Sequence, residues 1–327
     1  MALTDIDGGR LADNAFSLGK NKLINGNFDV WQRGTTFTTT VSGTSDYTAD
    51  RWKAGGGTST TVSRQAFTLG QTDVPGEPTY YAQWAITNNS QNYEFQQRIE
   101  DVRTLAGQQA TISFYARRTT GSITVGLRTV QYFGTGGSPS SSVVVSAGTP
   151  SLTTSWQKFT YTVSIGSVSG KTLGSNNDHS LWVGFQVSDT NTGTIEIAQF
   201  QVEQGAAATP FEHRSYADEL QNCKRYFQAV GTVCSGFIEG TTFVAIATAF
   251  HPEMRTTPSI SVFAGKTARF RDNAVDLTIA TPTLNNTSTN RWGVWTRVST
   301  SGRTNGNPIT GRVNGSDGDF IAASAEL

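Results

Sequence analysis

Four aromatic residues fall where their rings can do more than fill space. Trp182 lies on the polar side of LWVGFQV, a run whose apolar side is Leu181, Val183, Phe185 and Val187. Trp295, in RWGVWTRV, stands opposite a face formed by Trp292, Val294 and Val298, and the adjacent pair Tyr132 and Phe133 precedes the Gly-rich stretch GTGGSPSSS. Exposed rings surrounded by Asn, Asp, Gln, Thr and Arg stack on pyranose faces while the polar groups bond the sugar hydroxyls. These four residues are therefore candidate saccharide contacts. The same positions suit contact with another sheet or a neighbouring subunit equally well, and the sequence alone leaves both uses open.

Other chemistries find less support. A glycosidase needs two carboxyls at a defined separation, and Glu94, Glu100, Asp101, Glu196, Glu203 and Glu212 lie on or near strand-like runs. In a β protein of this size such acids more often cap loops or pair with arginines, here Arg98, Arg103, Arg117 and Arg118, so no catalytic residue is assigned and a non-enzymatic chain is expected. SGKT at 169–172 lacks the Walker glycine spacing, because Gly166 precedes Gly170 by one residue too few, and it reads as a turn. SWQK at 155–158 matches Ser-x-x-Lys at a strand start rather than a helix start. His179, His213 and His251 are scattered, and Cys223 and Cys234 lack metal or redox spacing. The RWGVWTR segment has only two flanking arginines, which is too little basic charge to indicate nucleic acid.

Composition sets the frame for these residues. The 327-residue chain holds 34 Gly, 48 Thr, 30 Ser and only 7 Lys, with charged residues at 15% and aromatics at 10%. The aromatic content is too high for a disordered polar tract, and the scarcity of charge excludes long Ala/Glu/Lys/Leu helices. Twenty-five basic and 25 acidic residues cancel, leaving no global field to draw the chain onto nucleic acid or an anionic membrane. The opening MALTDIDGGRLADN has no apolar run of signal-peptide or membrane-span type, so folding in a cytoplasm without membrane insertion is expected.

The elements that position the candidate residues are short strands. KFTYTVSI alternates Phe159, Tyr161, Val163 and Ile165 with polar residues, TISFYAR and SITVGL give further strands, and in TIEIAQFQV the apolar parity switches between Ile197 and Phe200, which predicts a bulge or a strand passing between sheets. GGGTST, GTGGSPSSS and LGSNNDH read as loops. This pattern, with no βαβ alternation, predicts an all-β chain: an antiparallel jelly-roll or β-sandwich domain at 22–214, one short linking α-helix at 215–228, and a second small C-terminal β domain at 229–327. In the last of these, FVAIATAF, AVDLTIA and RWGVWTRV read as strands, TLNNTSTN as a loop, and FIAASAEL as a final strand. In SYADELQNCKRYFQ, Tyr216, Leu220, Cys223 and Phe227 recur at spacings of four, three and four. The stripe suits packing on its own chain or a short self-associating bundle.

At NKLINGNFDVWQRG (21–34) the sequence resembles the opening of a family of bacteriophage fibre and tail-associated proteins with a carbohydrate-binding-module-like jelly roll. The likeness continues through YTADRW (47–52), QRIEDVRTLAGQQATISFYAR (97–117), SWQKFTYTV (155–163) and QFQVEQGAAATPFEHRSYADELQNCKRYFQ (199–228), roughly 200 of the 327 residues. The resemblance implies a structural virion protein, assembled in the bacterial cytoplasm and usually a homotrimer. Residues 1–21 would dock on other virion proteins, Tyr216, Leu220, Cys223 and Phe227 would line a trimer junction, and 229–327 would form a tip that meets host cell-surface saccharide. A structural calcium held by Asn25, Asn27, Asp29 and Glu203 is also implied, while Phe28, Trp31 and Trp52 would be core-forming. Two other roles stay open: a head-fibre, decoration or neck protein without receptor contact, and a polysaccharide depolymerase, which the short chain and the lack of β-helix repeats disfavour.

Overall fold

The structure, a computed structural model, describes residues 19–39, 45–56, 60–87, 92–188, 191–230, 235–263, 268–272, 275–279, 282–301, 306, 308–311 and 321–327. Most of the expected attachment segment, residues 1–18, and Cys234 lie outside the described residues. The chain divides into two compact units: the residues up to Tyr216 together with Leu327, and Ala217–Glu326.

In chain order the first unit contains β1 (Thr36–Thr39), β2 (Ser45–Tyr47), β3 (Trp52–Gly55), β4 (Thr60–Ala66), β5 (Tyr80–Ile86), β6 (Tyr93–Glu100) and β7 (Gln109–Arg118). It continues with β8 (Ile123–Thr124), β9 (Gly126–Tyr132), β10 (Val143–Gly148), β11 (Ser151–Leu152), β12 (Gln157–Ser164), β13 (Ser180–Val187) and β14 (Gly193–Gln204). Two six-stranded antiparallel sheets result, β1-β4-β5-β14-β7-β12 and β10-β9-β13-β6-β3-β2, facing each other as a jelly-roll sandwich. Period-two alternation drives this arrangement. On β13, Leu181, Val183, Phe185 and Val187 are all buried, and on β12, Phe159, Tyr161 and Val163 pair across to Phe114, Ile112 and Ala110 of β7.

The interior is built of large rings. Trp52 lies 4.9 Å from Phe28, 5.1 Å from Phe95 and 5.3 Å from Phe200, and Phe114 lies 5.0 Å from Phe200 and 4.9 Å from Phe185. A buried indole N–H needs an acceptor. Trp52 Nε1 donates to the Asn25 carbonyl (2.9 Å), Trp84 Nε1 to Thr60 Oγ1 (2.7 Å) and Trp31 Nε1 to the Phe28 carbonyl (2.7 Å).

Two of the sequence motifs are bonded to each other. Asn25, at φ 58°, uses its carboxamide to donate to the Val30 and Asp50 carbonyls and to accept from Val30 N, while Asp50 Oδ1 accepts from Gln32 N. Asn tolerates the left-handed region better than most residues. Gly26 is held to glycine by crowding, since a Cβ there would stand 2.2 Å from the Phe200 carbonyl oxygen. The parity switch in TIEIAQFQV is a β-bulge: the β14–β7 register shifts between Ala198 and Gln201, and Gln199 sits at φ 49°. The strand stays in one sheet.

The second unit contains α1 (Tyr216–Lys224), β15 (Phe227–Val230), β16 (Ser235–Glu239), β17 (Phe243–Ala249), β18 (Ser259–Val262) and β19 (Ala268–Asp272). β20 (Val275–Ile279), β21 (Leu284–Asn290), β22 (Gly293–Ser299), β23 (Pro308–Gly311) and β24 (Ile321–Ser324) complete it. The strands form a three-stranded sheet, β15-β24-β18, and a seven-stranded one, β20-β19-β23-β16-β17-β22-β21. Among the described residues its core is formed by Ile238, Val244, Ile246, Val298 and Ile321, with Phe250, Met254, Val294, Ala323 and Ala325 in a neighbouring cluster.

Two expectations are corrected here. TLNNTSTN is not a loop; it forms most of β21, held to β22 by polar side chains, Thr287 to Thr296 between hydroxyls (2.8 Å) and Asn285 Nδ2 to Ser299 Oγ (2.8 Å). The helix ends at Lys224 rather than 228, because Tyr226 N bonds the Cys223 carbonyl in a turn that sends Phe227 into β15 opposite Ser324.

Candidate functional site

Strand pairing assembles a ring-bearing patch on the outer face of the β10-β9-β13-β6-β3-β2 sheet. Residues directly opposite in antiparallel strands share a face. Trp182 on β13 is flanked by Arg98 on β6 and Val130 on β9, Ser180 is flanked by Glu100 and Tyr132, and Gly184 by Gln96 and Arg128. The Tyr132 ring centre lies 5.0 Å from that of Trp182 at 35°, and the Arg98 guanidinium sits 4.2 Å from the Trp182 ring centre. Trp182 Nε1 donates to Ser180 Oγ (2.8 Å), and Arg98 Nη1 donates to the Leu327 carbonyl (2.8 Å), so ring and cation are both held in place. Beside them Gly184 is held to glycine by crowding, since a Cβ there would stand 2.2 Å from the Phe95 carbonyl oxygen, and the Arg128–Glu94 ion pair lies on the neighbouring strands. Half-buried rings next to planar donors, Arg98, Arg128 and Gln186, suit a hydroxyl-rich, flat-faced ligand.

The other predicted residues are distributed differently. Phe133 is 1% exposed, with Lys171 Nζ 5.6 Å from its ring centre, and offers no open face; it follows Tyr132 directly, and the chain turns it inward. Trp295 lies on β22 in the second unit, half-buried, with the Arg297 guanidinium 5.2 Å from its ring. Trp292 does not share a face with Val294 and Val298, because it belongs to the turn between β21 and β22 rather than to the strand. Of the expected junction residues, Tyr216 is 59% exposed, Leu220 half-buried, and Cys223 and Phe227 buried, so the stripe is not one continuous exposed face.

The implied calcium ligands do not assemble into one set. The Asn25 carboxamide is spent within the Asn25–Val30–Asp50 knot, and Glu203 accepts from Gln201 Nε2 (2.9 Å), Thr209 N (2.8 Å) and Thr209 Oγ1 (2.7 Å). Asn27 and Asp29 do lie together, Nδ2 to Oδ2 at 3.0 Å. Calcium takes six to eight oxygens, and among the described residues no group of three or more His, Cys, Asp or Glu is placed to hold a metal. The residues present therefore do not fit the ion. The candidate acids are likewise engaged: Glu196 with Arg117 and Gln83, Asp101 with Arg103, and Glu212 with Arg214 and the Gly19 and Asn21 amides.

A cleft of about 510 Å³ on the opposite sheet was not anticipated. Tyr115, Lys158, Gln199, Thr209, Phe211 and His213 line it, with Pro75 and Gly76 at its edge. The bulge at Gln199, signalled by the parity switch, is the one sequence feature that pointed there. A further aromatic group, Trp156 with Phe67 and Tyr81 at 5.4 Å each, carries Arg117 at 5.0 Å.

Fold and site together define a nearly all-β protein of two units, the first a jelly-roll sandwich with a ring-and-guanidinium patch on one outer face. No protein-family model matches the chain, and no curated protein matches it. Among solved structures, it is similar to the enzymatically active domain of tailspike protein 4 of bacteriophage CBA120, at 12% identity and TM-score 0.35, over 57% of this chain and 22% of that one. It is similar also to the CBM22-1 xylan-binding domain of Paenibacillus barcinonensis Xyn10C, at 17% identity and TM-score 0.33, over 53% of this chain and 99% of that one. A third is the family 11 carbohydrate-binding module of Clostridium thermocellum in complex with a β-1,3-1,4-mixed-linked tetrasaccharide, at 12% identity and TM-score 0.29, over 49% and 91%. The chain spans less than a quarter of the tailspike domain.

Proposed function

We propose that this chain is a non-enzymatic structural protein of a bacteriophage virion, a tail fibre, spike or adhesin, whose jelly roll recognises host-surface glycan. The observation that carries the reading is the Trp182–Tyr132 pair on an outer sheet face, with Arg98 fixed against it. Rings held by strands and a guanidinium held by its own hydrogen bond need little reorganisation on binding, which favours a weak but specific sugar contact. A homotrimer, docked on the particle through residues 1–21, would convert weak single contacts into useful avidity.

The test uses the full chain, wild type and Trp182→Ala, displayed multivalently on an array of bacterial surface glycans and on host cells. Wild type should be retained, and the variant should lose at least about tenfold of that retention, the scale of one lost ring contact of about 1.4 kcal/mol. Equal retention of the two proteins, or no retention of either, removes the reading. Release of new reducing ends from the glycan would establish a depolymerase instead.

A further inference from the structure

The second unit carries a slot of its own. β21 and β22 are joined through Arg291 and Trp292, and Asn290 Oδ1 closes the turn by accepting from Trp292 N (2.8 Å) and Gly293 N (3.1 Å). The turn is also anchored from outside: Phe250 N donates to the Trp292 carbonyl (2.7 Å) and Met254 N to the Arg291 carbonyl (2.9 Å). The Trp292 backbone is thus tied down while its side chain is 63% exposed. An exposed indole on an anchored backbone presents apolar area that a partner could bury at a gain in free energy.

Along β22, Gly293, Trp295 and Arg297 occupy successive positions on one face. Arg297 covers one side of the Trp295 ring at 5.2 Å and is itself paired with Glu239. On the other side stands Gly293, which has no side chain to fill the space. Ala247 lies opposite Trp295 and Ala249 opposite Gly293 on β17, while Ser288 and Asn290 occupy the matching places on β21. The outcome is a shallow slot of about 480 Å³, floored by Ala247, Ala249 and Gly293, walled by Trp295 and Trp292, and rimmed by Ser288, Thr289 and Asn290. That volume lies in the range of about 300–1,000 Å³ usual for small-molecule sites.

The lining specifies the ligand class. No charged side chain lines the slot, and the two cations beside it, Arg297 and Arg291, are paired with Glu239 and Glu253. The floor and the ring suit the C–H face of a pyranose. The rim suits its hydroxyls: among the described residues the Ser288 hydroxyl and the Trp292 and Trp295 indole N–H groups have no hydrogen-bond partner, and Asn290 spends its side-chain oxygen on the turn. We propose that this slot is a saccharide site of the second unit that takes a neutral pyranose ring, separate from the jelly-roll face and independent of whether that face binds.

The test is a titration of the full chain, labelled with ¹⁵N at its tryptophan indoles, with maltose, lactose, N-acetylglucosamine and rhamnose, each to its solubility limit. The Trp292 and Trp295 signals are assigned with Trp292→Phe and Trp295→Phe. At least one of these neutral sugars should shift both signals, and Ala249→Glu, at an exposed floor position, should weaken that response at least about tenfold. No movement of the two signals with any of the four sugars overturns the proposal, and so does an Ala249→Glu response equal to wild type. The Trp182 signal reports the jelly-roll face separately in the same spectra, so failure of one site is distinguishable from failure of the other.

Discussion

In the jelly roll, Trp52, Trp84, Phe28, Phe95, Phe114, Phe185 and Phe200 point inward and are each fully buried, whereas among the described residues of the second unit branched aliphatics and Phe250 fill the interior and both tryptophans, Trp292 and Trp295, line an outer slot. The contrast concerns what aromatic area is used for. Buried rings remove 150–250 Å² each from water and stabilise the fold in proportion. Rings left outside contribute little to folding and remain available to a partner. The first unit does both, with a ring-filled interior and the Trp182–Tyr132 patch outside. The second unit anchors its exposed turn with hydrogen bonds, Phe250 N and Met254 N to the Trp292 and Arg291 carbonyls.

The sharpest way to break this comparison is to truncate one core residue in each unit. Trp52→Ala removes a ring that contacts Phe28, Phe95 and Phe200 and leaves the Asn25 carbonyl without its donor, so it should cost about 3–5 kcal/mol. Ile246→Val removes one methylene from the aliphatic core of the second unit and should cost about 0.5–1.5 kcal/mol. Chemical denaturation followed by near-UV circular dichroism measures both. A greater loss for Ile246→Val than for Trp52→Ala would mean that the ring cluster is not what holds the first unit together.

Much of this was legible in the sequence where alternation was clean. The two faces of β12 and β13, the outward place of Trp182 and the bulge in β14 all follow from residue parity. Parity fails where a turn intervenes. Trp292 counts as a partner of Val294 and Val298 only if the strand begins before it, and the Asn290–Gly293 closure shows that it begins after. The heptad spacing that put Phe227 on the helix ran past the Cys223–Tyr226 turn in the same way. β21 was illegible for a different reason: after Leu284 its residues are all polar, and it pairs through hydroxyls and amides that leave no hydrophobic period. The cleft around Gln199 draws on residues 75–76, 113–115, 158, 199, 208–211 and 213, which only the folded topology brings together.

A smaller effect tests how the jelly roll is closed. Glu212 accepts from the Gly19 and Asn21 amides at 2.8 and 2.7 Å and pairs with Arg214, which in turn donates to the Asn21 and Leu23 carbonyls. Burial alone would raise its carboxyl pKa, but the two amides and the Arg214 charge bring it below the ordinary glutamate value. A lowered carboxyl pKa means that its contribution is fully present above the unfolded-state value and is lost as pH falls through the native one. Glu212→Gln should therefore lower Tm at pH 7 by about 2–4 °C, the scale of roughly 1 kcal/mol for a unit of this size, with the difference closing toward pH 3. A gap that persists unchanged at pH 3 would place the contribution in packing rather than in the charge.

The smallest expected effect has the opposite sign. Asp29 is held above the ordinary aspartate pKa by burial, only partly offset by the Asn27 hydrogen bond and the His213 charge. A raised carboxyl pKa penalises the folded state as pH rises through the unfolded-state value, so at pH 7 the ionised Asp29 works against the unit that Glu212 closes. Asp29→Asn keeps an oxygen to accept from Asn27 Nδ2 and removes the charge, and should raise Tm at pH 7 by about 1–3 °C with little change at pH 3. The neighbouring Asn27 Oδ1 is buried and accepts no hydrogen bond from the described residues. Added calcium should leave the Tm of the wild type and of Asp29→Asn unchanged, because Asn25 and Glu203 are engaged elsewhere, and a calcium-dependent rise confined to the wild type would overturn that reading. If calcium leaves both unchanged, the strain at Asp29 belongs to the fold alone.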